Sequence, residues 1–184
     1  MAVQTQARTV TSWQIDPVHT NVEFAVRHLM VATVRGRFNS VAGTILLDED
    51  DITRSSVAVQ IDAASIDTRE PQRDQHLRSP DFLDVAQFPT ITFQSKRIEP
   101  RSDGRYRVIG DLTIRGITRE VVLDASLDGR VKDPWGNERL AVSAQTTINR
   151  KDFGASWNVA LEAGGWLVGD AVQISIEAEA VKQA

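Results

Sequence analysis

Residues 21–28 read Asn21-Val22-Glu23-Phe24-Ala25-Val26-Arg27-His28. Val22, Phe24, Val26 and His28 fall on one side, and Asn21, Glu23, Ala25 and Arg27 on the other. That is the period of two that an extended chain imposes on its side chains. One face is largely apolar and the other suits water, as in an antiparallel strand lying over an interior. The same period recurs along the chain. Val57, Val59 and Ile61 alternate with Ala58, Gln60 and Asp62, and Ile91 and Phe93 alternate with Thr92 and Gln94. Tyr106, Val108, Leu112 and Ile114 oppose Arg105, Arg107, Asp111 and Thr113. Val121, Leu123, Ala125 and Leu127 form a further stripe, then Leu140, Val142, Ala144, Thr146 and Ile148, and finally Val172, Ile174, Ile176 and Ala178. From Val34 to Asp48 the chain reads as one long strand whose parity slips near residues 40–43, which predicts a bend at Gly43.

Composition agrees with strands. The 184 residues hold 20 Val, 13 Ile and 14 Thr against 11 Leu, and β-branched side chains suit a pleated surface. A net charge of −4 and a pI near 5.4 argue against a broad basic surface for nucleic acid. The absence of cysteine removes disulfides, thiolate nucleophiles and Cys-held metals. No run approaches the roughly 20 apolar residues that span a bilayer, so no stable membrane anchor is expected. Residues 1–11 carry no apolar stretch of the kind that leads a secreted chain. They read as a loose tail before one barrel domain at 12–182. The expected location is cytoplasmic, or periplasmic if the chain is a mature form.

The connections fit hairpins. Ser102-Asp103-Gly104, Arg115-Gly116-Ile117-Thr118, and the pair Asp128-Gly129 and Pro134-Trp135-Gly136-Asn137 all carry turn chemistry. Residues 68–79 are polar and lack the period of two. Thr68 is a candidate cap, and a short helix is predicted at about 70–78, with one further turn at 80–84 opened by Ser79-Pro80-Asp81. The fold class that follows is all-β: a single eight-stranded antiparallel lipocalin-like barrel with a short helical excursion near 70–84.

The inward stripe is apolar nearly throughout. Periodicity alone leaves two interiors open, a packed core and a cavity for an apolar ligand. The connection 152–169 carries Trp157, Leu161, Trp166 and Leu167 around Gly164-Gly165. It reads either as an apolar loop folded on the barrel end or as a flap over a hydrophobic mouth.

There are three histidines, His19, His28 and His76. An extended stretch of nine residues separates the first two by roughly 30 Å, so they cannot share a metal. Asp16 with His19, or Asp74 with His76, could form a base and its orienting carboxylate, but such short-range pairs arise in any turn. No G-x-S-x-G elbow, dinucleotide fingerprint or P-loop is present. The expectation is no catalytic set, no metal and no cofactor, with His28 as a polar group among the inward apolar ones.

Longer motifs carry a resemblance. Trp13-Gln14-Ile15-Asp16-Pro17-Val18-His19-Thr20 leads into the alternation at 22–28, followed by Gly36-Arg37-Phe38, Gly43-Thr44-Ile45 and Ser65-Ile66-Asp67-Thr68. Arg73-Asp74-Gln75-His76-Leu77-Arg78-Ser79-Pro80-Asp81-Phe82-Leu83-Asp84 and Phe88-Pro89-Thr90-Ile91-Thr92-Phe93 come next. Gly110-Asp111-Leu112-Thr113-Ile114-Arg115-Gly116-Ile117-Thr118 and Asn149-Arg150-Lys151-Asp152-Phe153-Gly154 complete the set. In this order, over about 13–182, the chain resembles the YceI-like family.

The resemblance implies a lipocalin-like barrel holding a long isoprenoid chain, a polyprenyl or isoprenoid quinone lipid, with fatty acids or their amides as the other ligand class. It also implies a homodimer. The function expected is non-enzymatic binding, transport or storage. Val22, Phe24, Val26, His28, Phe38, Phe93, Leu112 and Ile114 would line the tunnel, and Phe82, Leu83, Trp157 and Trp166 would sit at its ends. The alternatives are a lipid-modifying enzyme with a histidine base and a filled barrel that serves assembly.

Overall fold

The computed structural model describes residues 7–184 and is built of β-strands around one interior. The strands are β1 (Val10–Ile15), β2 (Asn21–His28), β3 (Ala32–Phe38), β4 (Val41–Asp48), β5 (Ser56–Asp62), β6 (Ile66–Asp67), β7 (Thr90–Pro100), β8 (Tyr106–Ile114), β9 (Ile117–Lys132), β10 (Glu138–Asn149) and β11 (Val168–Lys182). One α-helix, α1 (Pro71–Arg78), interrupts them. The wall runs β1-β4-β5-β7-β8-β9-β10-β11, and β11 returns to β1 through Trp13–Lys182 and Ile15–Ala180. Eight antiparallel strands thus close a barrel, and closure leaves that ring no free edge.

Three strands of the wall are broken in two. β1 and β2 run on in one direction, with a 3-10 turn at Pro17–His19 between them. Pro17 cannot donate to a ladder, and the Asp16 carboxylate instead accepts from Val18 N–H. β3 and β4 break at Asn39–Ser40, and β5 and β6 at the 3-10 turn Ala63–Ser65, where Asp62 caps Ala64 N–H. The expected bend at Gly43 therefore lies a few residues earlier. Gly43 serves a different need: a Cβ there would fall 2.6 Å from Ala58 O and 2.7 Å from Ile15 Cδ1.

Below these breaks the ring β1-β4-β5 continues round to β11; above them β11 pairs with β2, β2 with β3, and β3 with β6, whose far edge no strand among the described residues takes. Helix α1 packs beside β6 and completes the wall there. Its N-cap is Glu70, which accepts from Gln72 and Arg73 N–H, and Thr68, the expected cap, is instead held with its own N–H and hydroxyl on buried Asp74. Two capping side chains two residues apart compete for one helix start, and the acceptor reaching back from the helix decides which one is used.

Of the tail expected at 1–11, residues 10 and 11 belong instead to β1. Val10 and Thr11 pair with Asp48 and Leu47, and Arg8 donates to buried Asp48 at 2.6 Å. The rest of that segment, residues 1–6, lies outside the described residues. The lower end is a packed floor. Trp13, Ile45, Leu47, Leu140 and Ala180 are buried together, with Ile52 of the Asp51-capped turn Ile52–Arg54 packed against them. Burial of side chains this size contributes roughly 1.5–3 kcal/mol each.

Candidate functional site

Above that floor the barrel is hollow, with a cavity of about 680 Å³. Its wall is built by the inward parity of every strand. Val22, Phe24, Val26, His28, Phe38, Phe93, Leu112 and Ile114 all line it, as do Phe82, Leu83 and Trp157 at the upper end. Trp166 does not: it lies 53% exposed on the outside, bridged to Ala160 in a small turn of its own. The tryptophans look alike in sequence, but Trp157 precedes that turn and points back over the opening.

Two inward glycines keep the space open. Gly36 is the cross-strand partner of Phe24, and a Cβ there would collide with Phe24 Cζ and fall 2.8 Å from its Cε1 and 2.8 Å from Thr68 Cγ2. Gly110 lies diagonal to Phe93 across β7 and β8, and a Cβ there would fall 2.6 Å from that ring. Each Phe ring lies over a glycine, flat along the wall, which leaves the axis of the barrel empty.

The rim is polar. Glu70, Gln72, Arg73 and His76 of the helix side, His28 of β2 and Arg150 contribute to the lining at the upper end. His76 packs edge-on against Phe82 and Trp157, with ring centroids 5.0 and 4.6 Å away, and its Nε2 meets Asp81 at 2.8 Å. The partner expected for His76, Asp74, is turned to Thr68. Arg150 is buried, and its guanidinium donates to four carbonyls: Gly169 (2.8 Å), Ala155 (2.6 Å), Trp157 (2.9 Å) and Val168 (3.3 Å). Burial lowers the Arg150 pKa from its ordinary value, and Asp170 at 3.5 Å opposes that shift. Arg115 donates to the carbonyls of Pro80 and Phe82 and fixes the turn at 80–84. The 152–169 connection is thus fastened at its base, and Gly164-Gly165 have φ of 88° and 96° because the tip of its own turn requires them.

These arginine roles are what the sequence did not disclose. An arginine buried on backbone carbonyls has no periodic signature; the polar run Asn149-Arg150-Lys151-Asp152 beside inward Phe153 was the signal available.

A second cluster lies at the break between β1 and β2. Ligand atoms of Asp16, His19 and Glu179 lie within 4.8 Å of one another. Arg139 already sits there, 2.8 Å from Asp16 and 3.2 Å from Glu179, so a guanidinium holds the cationic position. Its hydrogen bond is the main cause that lowers the Asp16 pKa from 3.8 to about 2, with His19 next.

The fold and site together define a class: a closed lipocalin-like barrel with an apolar well and a polar rim. Residues 13–180 match the YceI-like domain, and the chain belongs to that family. A UPF0312 protein of Pectobacterium atrosepticum is 38% identical over 165 residues, 90% of this chain and 82% of its own. A Vibrio cholerae UPF0312 protein is 38% identical over 136 residues, covering 74% of this chain and 72% of the relative. Among solved structures, the Campylobacter jejuni YceI protein superposes with a TM-score of 0.72 at 29% identity, over 86% of this chain and 90% of that one. BcnA of Burkholderia cenocepacia shares the fold with a TM-score of 0.76 at 22% identity, over 90% and 98%. A polyisoprenoid-binding domain from Saccharophagus degradans shares it with a TM-score of 0.66 at 14% identity, over 93% and 98%.

Proposed function

We propose that the protein binds a long apolar lipid of the isoprenoid type, tail down in the well, and carries or stores it without chemical change. The observation that supports this most is the lining: a largely apolar cavity of about 680 Å³, closed at the floor, with Glu70, Arg73, His76 and Arg150 gathered at its upper end. Such a space favours a chain with an apolar body and a single polar end. The Saccharophagus domain of the same fold, described as polyisoprenoid-binding, points the same way. Binding is favoured by the predominance of apolar side chains around the well and by Arg150, whose guanidinium is taken up by backbone carbonyls.

The test is organic extraction of the purified protein followed by mass spectrometry, with titration of polyprenol and isoprenoid quinone into the extracted protein. A stoichiometric long-chain lipid, and saturable binding that Phe24→Asp abolishes, is the expected result; a desolvated carboxylate in that lining costs several kcal/mol. An empty extract together with no binding of either probe overturns the proposal.

A further inference from the structure

The β2–β3 connection is the sequence Leu29-Met30-Val31. Val31 N–H bonds His28 O, and both central residues of that turn lie in the left-handed region, Leu29 at φ 50° and Met30 at φ 61°. Asn-Gly is the pair that such a turn favours. Here two bulky apolar residues occupy it, and they face outward: Leu29 is 42% exposed, Met30 59% and Val31 77%. A turn that merely reverses the chain gains nothing from them.

The neighbouring loop does the same. Leu29 N–H bonds Leu167 O, and Met30 packs against Gly165, so the hairpin tip and the 159–166 turn form one surface. Val159 and Trp166 are large exposed apolar groups on it. This patch adjoins the cavity: His28, Leu167 and Val168, which flank it, line the well. Charge on this side is also distinctive. Among the described residues Arg27, Arg35 and Arg73 form no ion pair, although Arg37 and Arg150 nearby pair with Asp67 and Asp170, whereas Arg97, Arg101, Arg105, Arg107, Arg130 and Arg139 at the other end all do. Arg27 reaches the turn itself through Met30 O at 3.0 Å. Acidic Glu162 stands at the loop tip, and Glu70 is engaged in capping the helix.

We propose that this rim is a docking surface for a bilayer carrying anionic headgroups. Leu29, Met30, Val31, Val159 and Trp166 enter the interface, the unpaired arginines meet the phosphates, and the well opens onto the lipid. The proposal deepens the lipid-carrier reading and rests on it. Apolar area with a tryptophan favours the interfacial zone, and nearby cations add an attraction that salt screens. A patch continuous with the mouth of a lipid-sized well also lets a chain pass without crossing water.

The test is cosedimentation of the full chain with sucrose-loaded vesicles of phosphatidylcholine and phosphatidylglycerol. Wild type should sediment with the vesicles, less so as salt rises. The L29N/M30G double variant puts the favoured pair in the turn, so it should unfold at an equal or higher temperature while its partition falls about tenfold or more. Trp166→Ser should weaken binding too. Trp135→Ser, at an exposed tryptophan on the opposite end, should bind as wild type does. Wild type remaining in the supernatant, or L29N/M30G sedimenting equally, overturns the proposal. So does a wild-type dimer in sedimentation velocity that L29N/M30G converts to monomer, because the patch then belongs to a second copy. Lipid extracted from the same samples reports on the well independently, so failed docking and a failed lipid assignment give different results.

Discussion

Asp16 shows how a single side chain can tie a turn to a strand far away in sequence. Its carboxylate accepts from Val18 N–H, from His19 Nδ1 at 2.9 Å and from Arg139 at 2.8 Å, joining the β1–β2 turn to β10. With the folded pKa near 2, below the ordinary 3.8, the native state holds this group ionised more strongly than the unfolded chain does. The stabilisation is therefore present above about pH 4 and is lost as pH falls toward 2. Asp16→Asn should cost on the order of 1 kcal/mol near neutral pH, discounted for its partly open surroundings, and should flatten the acid limb of a urea midpoint against pH profile between those values. A profile unchanged by the substitution would mean that Arg139 gains as much from Asp133 and Glu179 alone. The pairing of Asp16 with His19 was visible in the sequence at three residues' distance. Arg139 was not, because 123 residues separate it from Asp16.

At the scale of elements, parity was the legible quantity. It places Val22, Phe24, Val26, His28, Phe93, Leu112 and Ile114 on the inner wall, since a strand has only two faces. It could not distinguish a hollow interior from a filled one. That depended on Gly36 and Gly110 receiving the rings of Phe24 and Phe93, a cross-strand matter of register. Helix α1 was legible by its lack of period, but its cap was not. Eight residues are too few to hold a helix in water, so tertiary bonds maintain it: Arg78 to the carbonyls of Ala64 and Ile66, and Asp74 to Thr68. The connection above the well depends in the same way on Arg150. Arg150→Met should remove the donor that the Gly169, Ala155 and Trp157 carbonyls share, Val168 O keeping Asn158, and cost about 3–5 kcal/mol, read as a lower urea midpoint. Arg150→Lys should recover little, because a point charge cannot span the positions the planar fork reaches. Limited proteolysis should then cut within 155–168 first, and a loop that resists cleavage in Arg150→Met would show that Asn158, bonded to Val168 on both sides, suffices.

The whole molecule has two unequal halves. Below the breaks at 17–19, 39–40 and 63–65 the ladder runs all the way round; above them it ends at β6, and a helix stands in the gap. Hydrogen exchange should follow that division. Amides of Trp13, Ile45, Leu140 and Ala180 should exchange only by global unfolding, and those of β3, β6 and α1 by smaller openings several kcal/mol cheaper. Equal protection in both halves would mean that the helix closes the wall as firmly as a strand does. This asymmetry was out of reach of the sequence, where 34–48 reads as one long strand with a slip in parity and nothing periodic marks the break at 63–65 or the unpaired edge of β6. Its consequence concerns length. A tube open at both ends accepts chains of any size, threaded through. A vessel with a packed floor of Trp13, Leu47 and Leu140 is a gauge: a tail shorter than its depth leaves void at the bottom, and a longer one lifts its head group clear of the rim, away from His28 and Arg73. If the lipid sits tail down as proposed, substituting a floor residue changes the depth of the vessel and so the carbon number it would prefer, with the rim left as it was.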